Sequence, residues 1–135
     1  MEKRSQRNLI YEYVKNQYNS EIEQLWPKYP KDVIFRNRQN KKWYGIIMEV
    51  SCRKVGVNCD GYIDVLNVKI ADNLLKDFLI RQKGFCPAYH MSKEHWISIL
   101  LDGSVDINQI LDLIDSSYNI IDSYNKKRNK QKGLS

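Results

Sequence analysis

Val33-Ile-Phe-Arg-Asn-Arg38 and Lys42-Trp-Tyr-Gly-Ile-Ile-Met-Glu-Val-Ser-Cys52 are the two stretches that decide the fold class. Both are rich in β-branched and aromatic residues, which favour strands. The polar Gln39-Asn40-Lys41 between them is typical of a turn, so together they predict a β-hairpin. In Leu66-Asn-Val-Lys-Ile70 apolar and polar residues alternate strictly, which predicts a third strand with one face in the core and one in solvent.

Helices are predicted before and after these strands along the chain. Apolar residues recur at three- and four-residue spacing from Ser5 to Asn19 and again after Ser104, where Ser104 or Asp106 is expected to cap the last helix. Asp72 is expected to cap a middle helix that ends near Gly84 and is followed by two short strands, 88–91 and 95–102. The predicted apolar stripe of that helix is Leu74, Leu75, Phe78 and Leu79. The order α-β-β-β-α-β-β-α predicts an α+β fold, a two-layer sandwich with a mainly antiparallel sheet.

The charge of the chain is unevenly distributed. The net charge is +6, and residues 28–54 hold eight Lys and Arg against two acids. Residues 126–135 add five basic side chains and no acid, whereas residues 55–125 carry five bases and ten acids. We therefore expect one domain over residues 1–125 and a basic, disordered tail over 126–135. Such asymmetry can steer a polyanion to one surface, but it is also a common route to solubility.

The composition excludes several protein classes. No apolar run is long enough for a membrane span, and the polar start Met1-Glu-Lys-Arg-Ser5 does not resemble a signal peptide, so we expect a cytoplasmic protein. Cys52, Cys59 and Cys86 are odd in number and form no CxxC pair, so three reduced thiols are the simplest expectation.

One segment is recognisable as a family signature. Pro87-Ala-Tyr-His-Met-Ser-Lys-Glu-His-Trp96, followed by Ile-Ser-Ile-Leu-Leu-Asp-Gly-Ser104, closely resembles the MmcQ/YjbR family. The stretches Trp26-Pro-Lys-Tyr-Pro30, Val33–Arg36 through Lys42–Gly45, and Val65–Lys69 resemble the same family in the same order. The residues of this chain that carry the signature are Pro87, Tyr89, His90, Lys93, His95, Trp96, Asp102 and Gly103. The resemblance implies a fold similar to secretion chaperones, a double-wing DNA-binding label and no family-wide catalytic activity.

The predicted hairpin is the best candidate for a functional surface. It places basic groups, which bind phosphates, beside aromatic rings, on which unstacked bases can stack. The candidate nucleic-acid-binding residues are Arg36, Arg38, Lys41, Lys42 and Trp43, with Lys93 on a second hairpin. The alternative is that one of Trp43 and Tyr44 faces the core, while the charges only protect an exposed strand from pairing with other sheets.

The histidine cluster has two interpretations. His90 and His95 could titrate near neutral pH or, with Cys86, bind a metal, but the ligand set of a structural zinc site is incomplete. The simpler interpretation has both imidazoles bonded to backbone or carboxylates, with Trp96 in the core. We expect no metal and no cofactor. No nucleophile, phosphate loop or carboxylate pair stands out either, so we do not expect an enzyme.

Two functions remain open from the sequence. The first is a DNA-binding module that uses the basic hairpin, with the tail adding nonspecific attraction. The alternative is a chaperone-like, protein-interaction module that receives a partner segment on its sheet. A third hypothesis, a small-molecule site around Tyr89, His90 and His95, requires a cavity at those side chains.

Overall fold

The computed structural model describes the backbone of residues 4–133 and the side chains of residues 4–126. It contains three helices, five strands and one short 3-10 turn over Cys52–Val55. The elements are α1 (Gln6–Tyr18), β1 (Val33–Arg36), β2 (Trp43–Ser51), β3 (Tyr62–Lys69), α2 (Asn73–Leu79), β4 (Phe85–Pro87), β5 (Trp96–Leu100) and α3 (Ile107–Gly133). The predicted α+β class and the predicted element order are confirmed.

The five strands form one antiparallel sheet in the order β1-β2-β3-β5-β4. Its central register pairs Ile47 with Leu66 and Leu66 with Ile99. The β1–β2 hairpin is confirmed, and it contains an irregularity after Phe35. A Cβ on Gly45 would lie 2.5 Å from the buried Phe35 ring, so any larger residue here would force that ring out of its place in the core.

The first helix has the predicted boundaries. The Ser5 hydroxyl accepts the backbone N–H of Asn8, and Asn19 ends the helix with a left-handed φ of 53°. Arg7 donates two hydrogen bonds to the Asp64 carboxylate, of 2.9 and 2.8 Å, and so ties α1 to β3.

Helices α1 and α3 cover one face of the sheet. The core between them is apolar and fully enclosed, and it includes Ile10, Val14, Phe35, Tyr44, Leu66, Ile97, Ile110 and Ile114. Ser117 on α3 lies inside this core, where its hydroxyl donates to the Tyr44 carbonyl (2.7 Å) and accepts from the Lys69 N–H (2.9 Å). One buried hydroxyl therefore fixes α3 to both β2 and β3.

The second face of the sheet carries its own apolar cluster, so the prediction that this face is in solvent is wrong. Ile34, Ile46, Met48, Val50, Val65 and Leu100 are buried there. Segments without regular structure pack over them through partly buried Trp26, Tyr89 and Met91. The alternation in β3 could not reveal this cover, because it is made by residues distant in sequence.

Asn67 is the clearest case of that error. It is fully buried, and its Oδ1 accepts the Ser98 hydroxyl at 2.5 Å. Its Nδ2 donates to the Tyr89 carbonyl (3.3 Å), and the Tyr89 N–H donates to the Ser98 hydroxyl oxygen (2.9 Å). Strand β4 correspondingly ends at Pro87 rather than spanning 88–91, because the chain at Tyr89 bonds these two side chains instead of a neighbouring strand.

The second helix is capped as predicted but packs differently. The Asp72 carboxylate accepts the N–H groups of Leu74 and Leu75, and the helix ends at Leu79, well before Gly84. Of the predicted stripe only Leu79 is buried. Leu74, Leu75 and Phe78 are exposed, so the prediction of a buried stripe is wrong.

The expectation of three reduced thiols is also wrong in this structure. Cys52 and Cys59 form a disulfide across the loop between β2 and β3, with their Cα atoms 5.6 Å apart. Cys86 is free and half-buried, and burial raises the pKa of its thiol above the ordinary value, although a hydrogen bond with Ser98 opposes the shift.

Helix α3 crosses the boundary that the sequence places after Asn125. Its backbone is helical to Gly133, since no glycine or proline interrupts it earlier. Asp106 rather than Ser104 precedes it and accepts the Asn108 N–H. The side chains of residues 127–135 lie outside the described residues, so a disordered tail stays a prediction. Among the described helices none is both long enough and apolar enough to cross a membrane.

Candidate nucleic-acid interface

Basic and aromatic side chains converge at one end of the sheet. There the start of β2, the end of β3 and the start of β5 meet the later turns of α3. They surround a surface cavity of about 540 Å³, which we call the lysine–tryptophan surface. It is lined by Lys41, Lys42, Trp43, Lys69, Trp96, Ile121 and Tyr124.

Two ammonium groups lie over the same aromatic ring. The Nζ atoms of Lys42 and Lys69 are 5.5 and 5.3 Å from the centroid of the Tyr124 ring, and Lys69 Nζ is also 6.0 Å from the Trp96 ring. These distances are within the cation–π range of about 6 Å. Among the described residues, none of Lys41, Lys42 and Lys69 forms a salt bridge. Two positive charges without a described carboxylate partner thus lie at the same ring, which favours anionic groups at this surface.

The hairpin turn is held against α3 by amide side chains. The buried Asn37 accepts the N–H groups of Gln39 and Asn40 through Oδ1 and donates to the Asp122 carboxylate at 3.0 Å. Asn40 donates to the Ile121 carbonyl at 2.9 Å. These bonds fix the backbone just before the two hairpin lysines, so the lysines start from a defined position beside the helix.

Lys69 and Trp96 are positioned by strand pairing. They are direct neighbours in the register of β3 and β5, and the Lys69 N–H is held by Ser117. Trp96 is half-buried and forms part of the cavity wall, so the interpretation that places it in the core is only partly right.

Arg36 and Arg38 do not line this surface, although Arg36 contacts two residues that do. Arg36 bonds the Glu23 carboxylate at 3.0 Å and the Lys41 carbonyl at 3.1 Å, and its guanidinium lies 5.8 Å from the centroid of the Trp43 ring. Arg38 is exposed beside a neighbouring cavity of about 460 Å³ that also contains Glu21 and Glu23. The acids compensate part of the arginine charge, so this cavity is less suited to a polyanion.

The second hairpin, formed by β4 and β5, exposes the charged side chains of its connection to solvent. Lys93 is exposed, and its carbonyl accepts the Lys76 ammonium at 3.0 Å. His95 is exposed and lies 3.8 Å from the Glu94 carboxylate. His90 has a φ of 60° and its ring centroid is 4.1 Å from that of Tyr89.

The remaining signature residues have structural contacts. Pro87 pairs with Ile97 at the end of β4. Asp102 accepts the Ser104 N–H at 2.9 Å, and Gly103 has a φ of 89° that favours glycine. Cys86, His90 and His95 form no metal-ligand cluster within the side chains that the structure describes.

Four residues of the lysine–tryptophan surface were not among the candidate nucleic-acid-binding residues: Lys69, Ile121, Tyr124 and Trp96, the last of which was named instead as a signature residue. Lys69 lies outside the basic stretch of residues 28–54, and Tyr124 lies near the end of the predicted domain, far from that stretch in sequence. Their proximity to Lys42 requires the β3–β5 register and the packing of α3, neither of which local sequence shows.

A family model describes most of this chain: the YjbR model matches residues 15–120. The chain belongs to the YjbR family. The match to the YjbR model includes Lys41, Lys42, Trp43, Lys69 and Trp96 of the lysine–tryptophan surface and stops just before Ile121 and Tyr124.

Relatives of this YjbR-family chain have been found as sequences and as solved structures. The uncharacterised protein YyaQ of Bacillus subtilis (strain 168) is 40% identical over 114 residues, which are 84% of this chain and 96% of YyaQ. A crystal structure from Pseudomonas syringae matches with a TM-score of 0.81 and 35% identity, covering 85% of this chain and 97% of that one. Deinococcus radiodurans protein DR2400 matches at 17% identity with a TM-score of 0.65, covering 87% and 78% of the two chains, and supports the fold alone.

Proposed function

We propose that this YjbR-family protein is a DNA-binding module that holds the DNA backbone at the lysine–tryptophan surface. The observation that carries the proposal is the pair of ammonium groups of Lys42 and Lys69 over the Tyr124 ring, beside Lys41. A phosphate that contacts these ammonium groups would gain charge-assisted hydrogen bonds. The module is proposed to bind and not to catalyse, and to act in the cytoplasm.

The aromatic side chains favour single-stranded segments. Trp43 and Trp96 are partly exposed at the cavity, and a base can stack on an indole only when it is not already stacked in a duplex. We therefore propose that the lysines bind phosphates of any DNA, whereas the indoles add affinity for unpaired bases. The five basic residues of 126–135 lie on the last turns of the α3 backbone and are proposed to supply further nonspecific attraction.

The test compares two double variants with the same change in charge. K42Q/K69Q removes the paired ammonium groups, whereas K28Q/K83Q removes two exposed lysines outside the site. Fluorescence anisotropy with a labelled thymidine oligonucleotide of about 12 nucleotides, within the usual site size, gives the affinities. We expect K42Q/K69Q to weaken binding by about tenfold or more and K28Q/K83Q to stay within about threefold of the parent. Equal losses in both variants would show a diffuse charge effect and refute the site.

A third variant tests the stacking contribution. W96L should weaken binding of the oligonucleotide by about fivefold or more, since base–aromatic stacking contributes about 1–3 kcal/mol per base. The same variant should leave the affinity for a duplex of equal length unchanged. An equal loss for both forms of DNA would contradict the role of the indole.

The alternative is a protein-interaction module, and one observation favours it. Leu74 and Phe78 on α2 are 83% and 61% exposed, and Leu75 lies beside them. This apolar surface is on the helix, because the sheet face on which the sequence places a partner is covered. If the parent chain binds no DNA and instead forms oligomers that L74S/F78S abolishes in sedimentation, the alternative replaces the DNA-binding proposal.

A further inference from the structure

A second cavity lies at the covered face of the sheet and shares no lining residue with the lysine–tryptophan surface. Its volume is about 580 Å³, within the range of about 300–1,000 Å³ that is typical of small-molecule sites. Met48 and Val50 contribute buried apolar side chains to its lining. Four aromatic side chains also line it: Trp26, Tyr29, Tyr62 and Tyr89. We call this cavity the aromatic groove.

Two of these rings are open to solvent. Tyr29 is 62% exposed and Tyr62 is 72% exposed, although both line the same groove. Tyr29 lies on the connection between α1 and β1, whereas Tyr62 begins β3. Large aromatic surfaces from separate parts of the chain are thus available to a flat ligand.

One polar group of the groove, the Lys54 ammonium, can bind an anionic ligand group, although the carboxylates of Asp32 and Glu49 line the same groove. The Glu49 carboxylate is already bound to Lys31 at 2.9 Å, and the Asp32 carboxylate accepts the Glu49 N–H at 3.0 Å. Lys54 is exposed and, among the described residues, forms no salt bridge. Ser51 and His90 line the same groove and add hydrogen-bond donors.

The walls of the groove are held in place before any ligand binds. The Tyr89 backbone is bonded to the buried Asn67 and Ser98 side chains. Lys54 lies in the loop that the Cys52–Cys59 disulfide closes. A preformed site of this kind loses little conformational entropy on binding.

We propose that the aromatic groove is a binding site for a small, flat aromatic molecule that carries a carboxylate or phosphate group. The ring of the ligand packs between the exposed tyrosines over the apolar floor, and its anionic group binds the Lys54 ammonium. This site is distinct from the proposed DNA-binding surface, because the two cavities share no lining residue, although the Trp26 ring of the groove packs edge-on against the Trp43 ring of that surface at a centroid distance of 6.0 Å.

The test uses two probes that differ in charge but hardly in shape, 2-naphthoate and neutral 2-naphthamide. Each is titrated into ¹⁵N-labelled full-length protein while backbone amide shifts are followed. From a ligand efficiency of about 0.3 kcal/mol per atom we expect a Kd of about 1 mM or tighter for 2-naphthoate. The shifts should centre on Ser51, Tyr62 and His90. The amide should bind about tenfold more weakly, because it lacks the charge-assisted bond.

The variants decide whether the proposed residues act as stated. K54Q should abolish the preference for the anionic probe while leaving 2-naphthamide binding intact, and Y62S should weaken both probes. K42Q, which removes a lysine of the other surface, serves as the matched control and should keep the preference. No saturable shifts with either probe, shifts centred on Leu74 and Phe78, or an unchanged preference in K54Q would each overturn the proposal.

Discussion

Replacement of Asn67 by alanine tests how the second face of the sheet is held closed. The substitution removes the acceptor of the Ser98 hydroxyl and the donor to the Tyr89 carbonyl, both in a fully buried position. Each buried polar group left without a partner costs about 1–3 kcal/mol. One of the two bonds is long, at 3.3 Å, so we expect Asn67→Ala to lower the free energy of unfolding by about 2–4 kcal/mol.

Urea unfolding followed by circular dichroism measures this loss. Asn58→Ala, at an exposed position, is the control and should change the free energy of unfolding by no more than about 0.5 kcal/mol. A cycle with Ser98→Ala should give a coupling energy of about 0.5–3 kcal/mol, because the two side chains share one network. A loss below about 1 kcal/mol for Asn67→Ala, or strictly additive effects, would refute the reasoning.

Two further predictions concern the disulfide and the tyrosines. Reduction of the Cys52–Cys59 bond should lower the free energy of unfolding by about 2–3 kcal/mol, because a short closed loop is released; a urea midpoint that does not respond to reductant would contradict this. Burial and a hydrogen bond to Asp115 raise the pKa of Tyr13 from 10.0 to about 12, and the same causes raise the pKa of Tyr18. Since the neutral phenols are favoured in the folded state, this stability is present below pH 10 and should be lost as the pH rises toward about 12. Phenolate absorbance and alkaline unfolding, each compared with Tyr13→Phe, check the assignment.

The sequence was sufficient to predict those helices and strands whose caps and turns depend only on neighbouring residues. Ser5 and Asn19 bound α1 because a capping hydroxyl and a left-handed asparagine act on adjacent backbone. The β1–β2 hairpin followed from two strand-forming stretches around a polar turn, and Asp72 capped α2 as expected.

Features that depend on distant residues could not be predicted in this way. Asn67 reads as a solvent-facing residue in an alternating strand until Ser98 and the chain at Tyr89 are packed against it. The exposed stripe of α2 shows the opposite error, since amphipathic spacing predicts burial without showing whether a partner surface exists.

The candidate site was predicted only in part for the same reason. Basic composition and neighbouring aromatics indicated Lys41, Lys42 and Trp43, which are adjacent in sequence. Lys69 and Tyr124 join them only through the sheet register and the packing of α3. Arg36 is also a basic residue near aromatic residues in the sequence, yet in the structure it bonds to Glu23 and does not line the surface.

The dependence of DNA affinity on salt tests the central claim most directly. The slope of log K against log salt is measured with the thymidine oligonucleotide from about 50 to about 200 mM salt, for the parent, for K41Q/K42Q/K69Q and for the equally charged tail variant K127Q/K130Q/K132Q. Each phosphate contact on a single strand contributes about 0.7 to the slope, so loss of the three site lysines should reduce its magnitude by about 2. The tail variant should weaken binding with a smaller change in slope. An unchanged slope in the site variant, or a slope that falls only in the tail variant, would contradict DNA binding at the lysine–tryptophan surface.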